Sequence, residues 1–90
     1  MIKISKHANM RQQQRGIPNI IIDLLMDFGT VERAGTEAST YYFDKKSRRQ
    51  VKAYAGQLSS QLEAYLDYYA IVSDAGKVIT VAPRIKKVKH

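Results

Sequence analysis

The chain opens with a polar segment whose spacing predicts a helix. Ser5 can cap a first helix that runs to about Arg15, and Gly16 can supply the left-handed conformation that ends it. Ala8 and Met10 are nearly the only apolar residues in this segment. We therefore expect the first helix to bury only a thin stripe of its surface.

A second segment is apolar at helical spacing and predicts a buried helix. This helix is predicted to begin at Ile17-Pro18, where proline suits the first turn, and to end at Gly29. Four of its apolar residues follow the i, i+3, i+4, i+7 pattern of one helix face: Ile21, Leu24, Leu25 and Phe28. Other apolar residues occupy its remaining faces, so we expect this helix to be largely buried.

The rest of the chain predicts two pairs of strands with a third helix between them. Runs of β-branched and aromatic residues predict strands at Thr30–Ala34, Thr40–Phe43, Tyr68–Ser73 and Lys77–Ala82. Ser47 and Gln50 have capping-box spacing, so the third helix is predicted to begin near Arg48, and Gly56 weakens its middle.

This order of elements, ααββαββ, predicts an α+β fold. Two helices precede a small antiparallel sheet into which a further helix is inserted. The chain shows no repeat and no linker, so we expect a single domain over residues 1–90 with a basic C-terminal tail at 84–90.

Composition narrows the chemistry that such a fold can carry. The chain has 90 residues, no Cys and two His at opposite ends, so we expect no disulfide and no metal site. No phosphate-cradling glycine loop is visible, and no cofactor is expected. The first residues lack the apolar run of a signal peptide, and no segment approaches the ~20 apolar residues of a membrane span. We therefore expect a soluble cytoplasmic protein with no membrane contact.

Positive charge is concentrated in three blocks of the sequence. The net charge is +7, which favours a polyanionic partner such as RNA or an acidic protein. The basic blocks, residues 1–16, 45–52 and 77–90, are separated by two acidic segments. Either the blocks gather into one groove for a phosphate backbone, or they are solvated faces that only keep the protein soluble.

The most specific candidate site lies on the first helix. His7, Arg11 and Arg15 are four residues apart, and each step drifts by only about 40° around a helix, so they form one polar stripe. Histidine can transfer a proton near neutral pH, and arginine can bind phosphate oxygens. The stripe, with Lys6 beside it, suits phosphodiester chemistry or RNA binding, and the alternative is a solvated basic face.

A DNA-binding helix-turn-helix is excluded for the first two helices. The second helix of such a unit must present polar side chains to the major groove. Here the second helix presents apolar residues and two aspartates.

A second cluster places tyrosines beside basic residues in the middle of the chain. This arrangement suits RNA, because bases stack on aromatic rings while Lys and Arg hold phosphates. The candidates are Tyr42, Lys45, Lys46, Arg48 and Arg49. Because strand neighbours point to opposite faces, one of Tyr41 and Tyr42 is expected in the core. The alternative is a solubilising start to the third helix.

A third cluster lies at the last strand and the tail. Its candidates for contacts with nucleic acid are Thr80, Arg84, Lys86 and Lys87. By strict alternation, Thr80 and Ala82 share a face with Val78, whereas Ile79 and Val81 point the other way. A basic tail can also occur without any binding role.

Three segments resemble a known family. Ser5–Ile17 has the pattern S-K-H-A-x(2)-R-x(3)-R-G-I, which resembles the opening of a family of small bacterial domains of unknown function. That family is distantly similar to RelE/ParE-like toxins of the barnase-like ribonuclease superfamily. Tyr41–Lys46 and the strand pair that ends in Gly76–Val81 resemble other parts of the same family, so the resemblance spans most of the chain.

The resemblance implies a RelE-like α+β fold and an RNA-cleaving toxin or an RNA-binding relative. The stripe on the first helix matches the family's polar helix positions, and Thr80 and Arg84 match its last strand and exit. Relatives often carry a Gly-His pair before the exit arginine, where this chain has Ala82-Pro83. Proton transfer would then rest on His7 or on Arg and Lys alone.

Three functions are open at this point. The first is a metal-independent endoribonuclease toxin in which His7 acts as acid or base and the arginines at 11, 15 and 84 contact the scissile phosphate. The second is a non-catalytic module that binds RNA or an acidic, antitoxin-like protein. The third is a homodimer that uses the apolar second helix as its interface.

Overall fold

The α+β class predicted from the sequence is confirmed. The structure is a computed structural model that describes residues 3–83. The helices of ten or eleven residues are α1 (Lys6–Arg15), α2 (Asn19–Phe28) and α3 (Lys45–Ala55). The strands are β1 (Lys3–Ile4), β2 (Thr30–Arg33), β3 (Ala38–Tyr42), β4 (Tyr68–Ser73) and β5 (Lys77–Pro83). Short helical turns at Gly56–Leu58, Ser59–Leu62 and Glu63–Tyr65 connect α3 to β4.

α1 begins and ends as predicted. The Ser5 hydroxyl accepts a hydrogen bond from the Ala8 backbone N–H at 3.1 Å, and Gly16 ends the helix with a φ of 65°. Only Ala8 and Gln12 of this helix are buried. The Gln12 amide nitrogen donates to the backbone carbonyl of Ile17 at 3.0 Å, which fixes the turn into α2.

α2 supplies the centre of the core. Four of its residues are buried: Ile21, Leu24 and Leu25 of the predicted face, and Ile22 beside it. Phe28, the fourth residue of the predicted face, is half-buried. They pack in one cluster with four buried residues of the sheet: Ala70, Val72, Val78 and Val81. The prediction that α2 is largely buried is confirmed, and a homodimer through this helix stays a prediction.

The predicted start of α3 is wrong by one turn. The N-cap is Asp44, whose carboxylate accepts from the Ser47 backbone N–H at 2.8 Å, while the Ser47 hydroxyl accepts from the Asp44 N–H at 2.7 Å. Ser47 therefore lies at the third position of the helix, where its hydroxyl completes the capping box. Gly56 ends α3, which confirms the expected weakness there.

The sheet contains one strand that the sequence analysis missed. Its strand order is β1-β5-β4-β3-β2, in which β1 pairs parallel to β5 and the other neighbours are antiparallel. β1 has only two residues and precedes α1, so the order ααββαββ is incomplete. The prediction of an antiparallel sheet is wrong at this edge, because the parallel pairing of β1 makes the sheet mixed. A two-residue strand has no alternation of its own, and its pairing with β5 is visible only in the folded chain.

Strict alternation along β5 is wrong. Ile71 of β4 pairs with Thr80, but the next residue, Val72, pairs with Val78, so Ile79 is an extra residue in a β-bulge. Val78 and Val81 are both fully buried in the core. Thr80 therefore does not share a face with Val78, and Val81 points toward the helices.

The helices cover one face of the sheet. The opposite face, here called the open face, carries two rows of cross-strand neighbours: Thr30, Tyr42, Tyr69 and Ala82, and then Glu32, Thr40, Ile71 and Thr80. Every residue of these rows is exposed or half-buried. None of these eight residues belongs to the core cluster that joins the helices to the sheet.

Val81→Ala is expected to lower the free energy of unfolding by about 2 kcal/mol, because it removes buried apolar volume and leaves a cavity. Ile79→Ala changes a half-buried bulge residue and should cost about 1 kcal/mol or less. Equilibrium denaturation followed by circular dichroism measures both. Equal losses would support strict alternation and contradict the bulge.

Candidate functional site

The stripe predicted on α1 is exposed to solvent. His7, Arg11 and Arg15 are all exposed, as is Lys6, and they lie beside the buried side of the helix. None of the four makes a side-chain hydrogen bond or ion pair within the part of the chain that the structure describes. Their charges are therefore not offset by an ion pair with any residue among 3–83.

The surroundings of His7 do not identify a reaction. α1 packs chiefly on β5, and no acid or base among residues 3–83 forms a hydrogen bond or ion pair with the imidazole. Two open grooves formed by described residues lie on α2 and α3, and neither includes His7. Proton transfer by His7, with Arg11 and Arg15 on a phosphate, stays a prediction.

The two adjacent tyrosines of β3 point to different faces, as predicted. Tyr41 packs against the core, and Tyr42 lies on the open face, where its hydroxyl is 3.4 Å from a carboxylate oxygen of Glu32. The neighbour of Tyr42 across the strands is Tyr69. Two half-buried tyrosines therefore lie side by side on the open face.

Tyr69 is the residue that sequence reasoning missed. It stands next to Tyr68, and the sequence alone does not say which of the two faces the core. The register answers this, because Tyr69 pairs with Tyr42 and Ala82, while Tyr68 packs against the core. Knowledge that Ala70 and Val72 are core residues would have placed Tyr69 on the open face by alternation.

The second basic block separates into paired and unpaired side chains. Arg48 is half-buried, forms an ion pair with Asp67 and donates to the backbone carbonyl of Phe43 at 3.4 Å. Lys52 lies 3.5 Å from Glu63. The remaining cations of the block are exposed and make no side-chain hydrogen bond or ion pair among residues 3–83: Lys45, Lys46 and Arg49.

Two of these free cations line an open groove on α3. The groove has a volume of about 340 Å³ and is lined by Lys46, Arg49, Gln50 and Ala53. These residues recur at i, i+3, i+4 and i+7 and so share one helix face. The outer side of α3 is therefore cationic, whereas Arg48 is held against Asp67, the residue before β4.

Asp44 holds the beginning of α3 in place. Hydrogen bonds lower the pKa of its carboxyl below the ordinary value of 3.8, first from the Ser47 backbone N–H and then from the Ser47 and Thr30 hydroxyls. Thr30 belongs to the same cross-strand row as Tyr42. Asp44 therefore connects the first turn of α3, with Lys45 and Lys46, to the end of the sheet that carries Tyr42 and Tyr69, here called the tyrosine end.

The candidates of the last strand and the tail are only partly described. Thr80 is half-buried on the open face, in the row next to that of Tyr42. Arg84, Lys86 and Lys87 lie outside the described residues. The structure thus brings Tyr42 and Thr80 to one face, and it keeps the α1 stripe on a helix that packs on β5.

Comparisons with family models, curated proteins and solved structures found no match for the chain. The resemblance to the RelE-related family therefore stays a prediction from sequence motifs. Among residues 3–83, no three His, Asp or Glu side chains are arranged to hold a metal ion. No helix in the same range meets the length and hydropathy of a membrane span.

Wild-type protein should lose more free energy of unfolding than Asp44→Asn as the pH falls from about 5 to 2. The folded-state pKa of Asp44 is lowered, so its carboxylate stabilises the fold above the unfolded-state pKa, and this stability disappears as the pH falls through the folded-state value. Asparagine can still cap a helix but does not titrate. Urea denaturation across this range provides the comparison, and parallel curves would refute the assignment.

Proposed function

We propose that the protein binds single-stranded RNA at the tyrosine end of its open face, without cleaving it. The observation that carries this proposal is the pairing of Tyr42 with Tyr69 on the open face, just before the chain enters α3 with Lys45 and Lys46. Aromatic rings and free cations are the two groups that single-stranded RNA requires.

The tyrosines supply the surface for the bases. Cross-strand neighbours in an antiparallel sheet have Cβ atoms about 4.5–5.5 Å apart, so two bases can stack on neighbouring rings of the same face. Every base has a π-face, and stacking therefore tolerates many sequences. The hydroxyls of Thr40 and Thr80 lie in the neighbouring row, where they can form hydrogen bonds with base edges or with the ribose.

The cations of α3 supply contacts to the phosphates. Lys45 and Lys46 follow Tyr42 by three and four residues, and Arg49 lies one turn further along the exposed side of α3. Binding RNA does not require them to leave an ion pair among residues 3–83. Lysines in the first turn of a helix oppose its dipole, so a bound phosphate would also relieve an unfavourable charge.

Binding is favoured over catalysis because the described residues include neighbouring tyrosines and unpaired cations but no hydrogen-bonded pair with His7 that could transfer a proton. Cleavage needs an acid or base within hydrogen-bond reach of the reacting oxygen. His7 lies on α1, on the helical side of the sheet, and the tyrosines lie on the other side. The ribonuclease function of His7, Arg11, Arg15 and Arg84 remains a separate hypothesis.

Tyr69→Ala is expected to weaken binding to a fluorescein-labelled, uridine-rich RNA of about 12 nucleotides by roughly 5- to 150-fold, the loss of one stacked base. Fluorescence anisotropy measures the affinity, and Tyr69→Phe should retain most of it because the ring remains. Tyr54→Ala is the matched control, since Tyr54 is exposed on α3 away from the open face. An equal loss in Tyr54→Ala, or none in Tyr69→Ala, would reject the tyrosine surface.

The double variant Lys45→Ala/Lys46→Ala should bind the same RNA more weakly than the wild-type protein does. Its affinity should also depend less on salt concentration. Each phosphate contact contributes about 0.7 to the slope of log affinity against log salt for single strands, so the slope should fall by about 1.4. Lys3→Ala/Lys77→Ala is the control. Both lysines are exposed, and they are strand neighbours at the end of β5 that is far from the tyrosines. A control that lowers the slope equally would indicate non-specific attraction.

A denaturing gel of the same RNA, recovered after incubation with the protein, distinguishes binding from cleavage. Intact RNA with the expected losses of affinity supports the proposal. RNA that is cut by the wild-type protein and left intact by His7→Ala would establish the ribonuclease hypothesis in its place.

A further inference from the structure

We propose that the groove between α2 and α3 is a docking site for a cationic, amphipathic segment of a partner protein. The groove has a volume of about 330 Å³ and is lined by Ile20, Asp23, Leu24, Asp27 and Tyr54. It belongs to the helical side of the molecule and shares no residue with the open face. The inference is therefore independent of the proposed RNA surface.

The two aspartates give the groove a negative charge that the fold does not use. Asp23 and Asp27 are exposed, one turn apart, and form no hydrogen bond or ion pair among residues 3–83. Like charges at this spacing destabilise a helix, and Asp27 also lies in the last turn, where the helix dipole disfavours an anion. α2 contains no basic residue that could offset either effect.

The apolar residues Ile20 and Tyr54 of the groove are exposed to solvent. Ile20 is 43% exposed and Tyr54 is 71% exposed. The Tyr54 ring packs on Phe28 with 5.2 Å between ring centroids, so one face of the ring is held while the remainder contacts solvent. An oriented tyrosine beside an aliphatic side chain is the kind of anchor that carries most of the energy of a protein interface.

Charge complementarity indicates which kind of partner fits the groove. A phosphate backbone is repelled by the two carboxylates, and a second copy that used the same face about a two-fold axis would bring four carboxylates together. A segment with two Lys or Arg side chains one helical turn apart matches the spacing of Asp23 and Asp27. An apolar residue between those cations would fill the space beside Ile20 and Tyr54.

The test uses a fluorescein-labelled synthetic peptide of about 15 residues with two Lys one turn apart around a Leu, a length at which a helix can form. A second peptide has Glu in place of both Lys. Anisotropy with the full-length protein should show binding of the Lys peptide and at least 10-fold weaker binding of the Glu peptide, consistent with the cost of like charges in an interface. Equal binding of the two peptides would overturn the proposal.

Variants then locate the peptide on the groove. Asp23→Asn and Asp27→Asn should each weaken binding by about 2- to 5-fold, the range of an exposed ion pair. Tyr54→Ala should weaken it by about 30-fold or more, as for an interface anchor. Glu37→Gln is the matched control, because Glu37 is an exposed acid in the turn between β2 and β3. An equal loss in Glu37→Gln would show attraction to any acidic residue and overturn the site.

Two further measurements examine other occupants. Light scattering of the protein alone should show that Tyr54→Ala leaves its mass in solution unchanged, and a dimer that this variant dissociates would assign the groove to a second copy. Lys86→Gln/Lys87→Gln in the full chain should leave the affinity for the Lys peptide unchanged. A rise in affinity would show that the C-terminal residues compete for the groove, and it would overturn the proposal.

Discussion

The packing of α2 on one face of the sheet is the constraint from which the other features follow. Ile21 and Leu25 are fully buried, and they share a cluster with Ala70, Val78 and Val81 of the sheet. A domain of this size has enough apolar residues for one such layer. The sheet is therefore covered on the helical side, and Tyr42 and Tyr69 lie on the other side.

The same one-sided arrangement separates the charges of the molecule. Three ion pairs among residues 3–83 each join an element to a residue distant along the chain: Arg33–Asp74, Arg48–Asp67 and Lys52–Glu63. The cations that remain unpaired among residues 3–83 lie mainly on α1 and on the outer side of α3. The charged residues of α2 are all acidic. A protein with a strongly positive net charge thus presents surfaces of both signs, which can attract chemically different partners.

Local signals predicted the parts of the fold that local physics determines. Ser5 and Gly16 bound α1 as their cap preferences require, and the apolar spacing of α2 identified three of its four buried residues. The cap of α3 was misassigned because Asp44 and Ser47 both have capping side chains, and the carboxylate is fixed one turn earlier by Thr30 and by Ser47 itself. β1, the bulge at Ile79 and the side on which Tyr69 lies depend on pairing between strands, which no single segment encodes.

The bulge at Ile79 also affects whether the edge of this sheet can pair with the sheet of another copy of the protein. β1 pairs with β5 only at Lys77 and Val78, so beyond that point β5 has no strand partner on its outer side among residues 3–83. A long regular edge offers backbone groups that can template aggregation. A bulge at the start of this free edge twists the strand and interrupts its regular ladder. The residue that reverses the side-chain pattern of β5 therefore also works against edge-to-edge association of the folded protein.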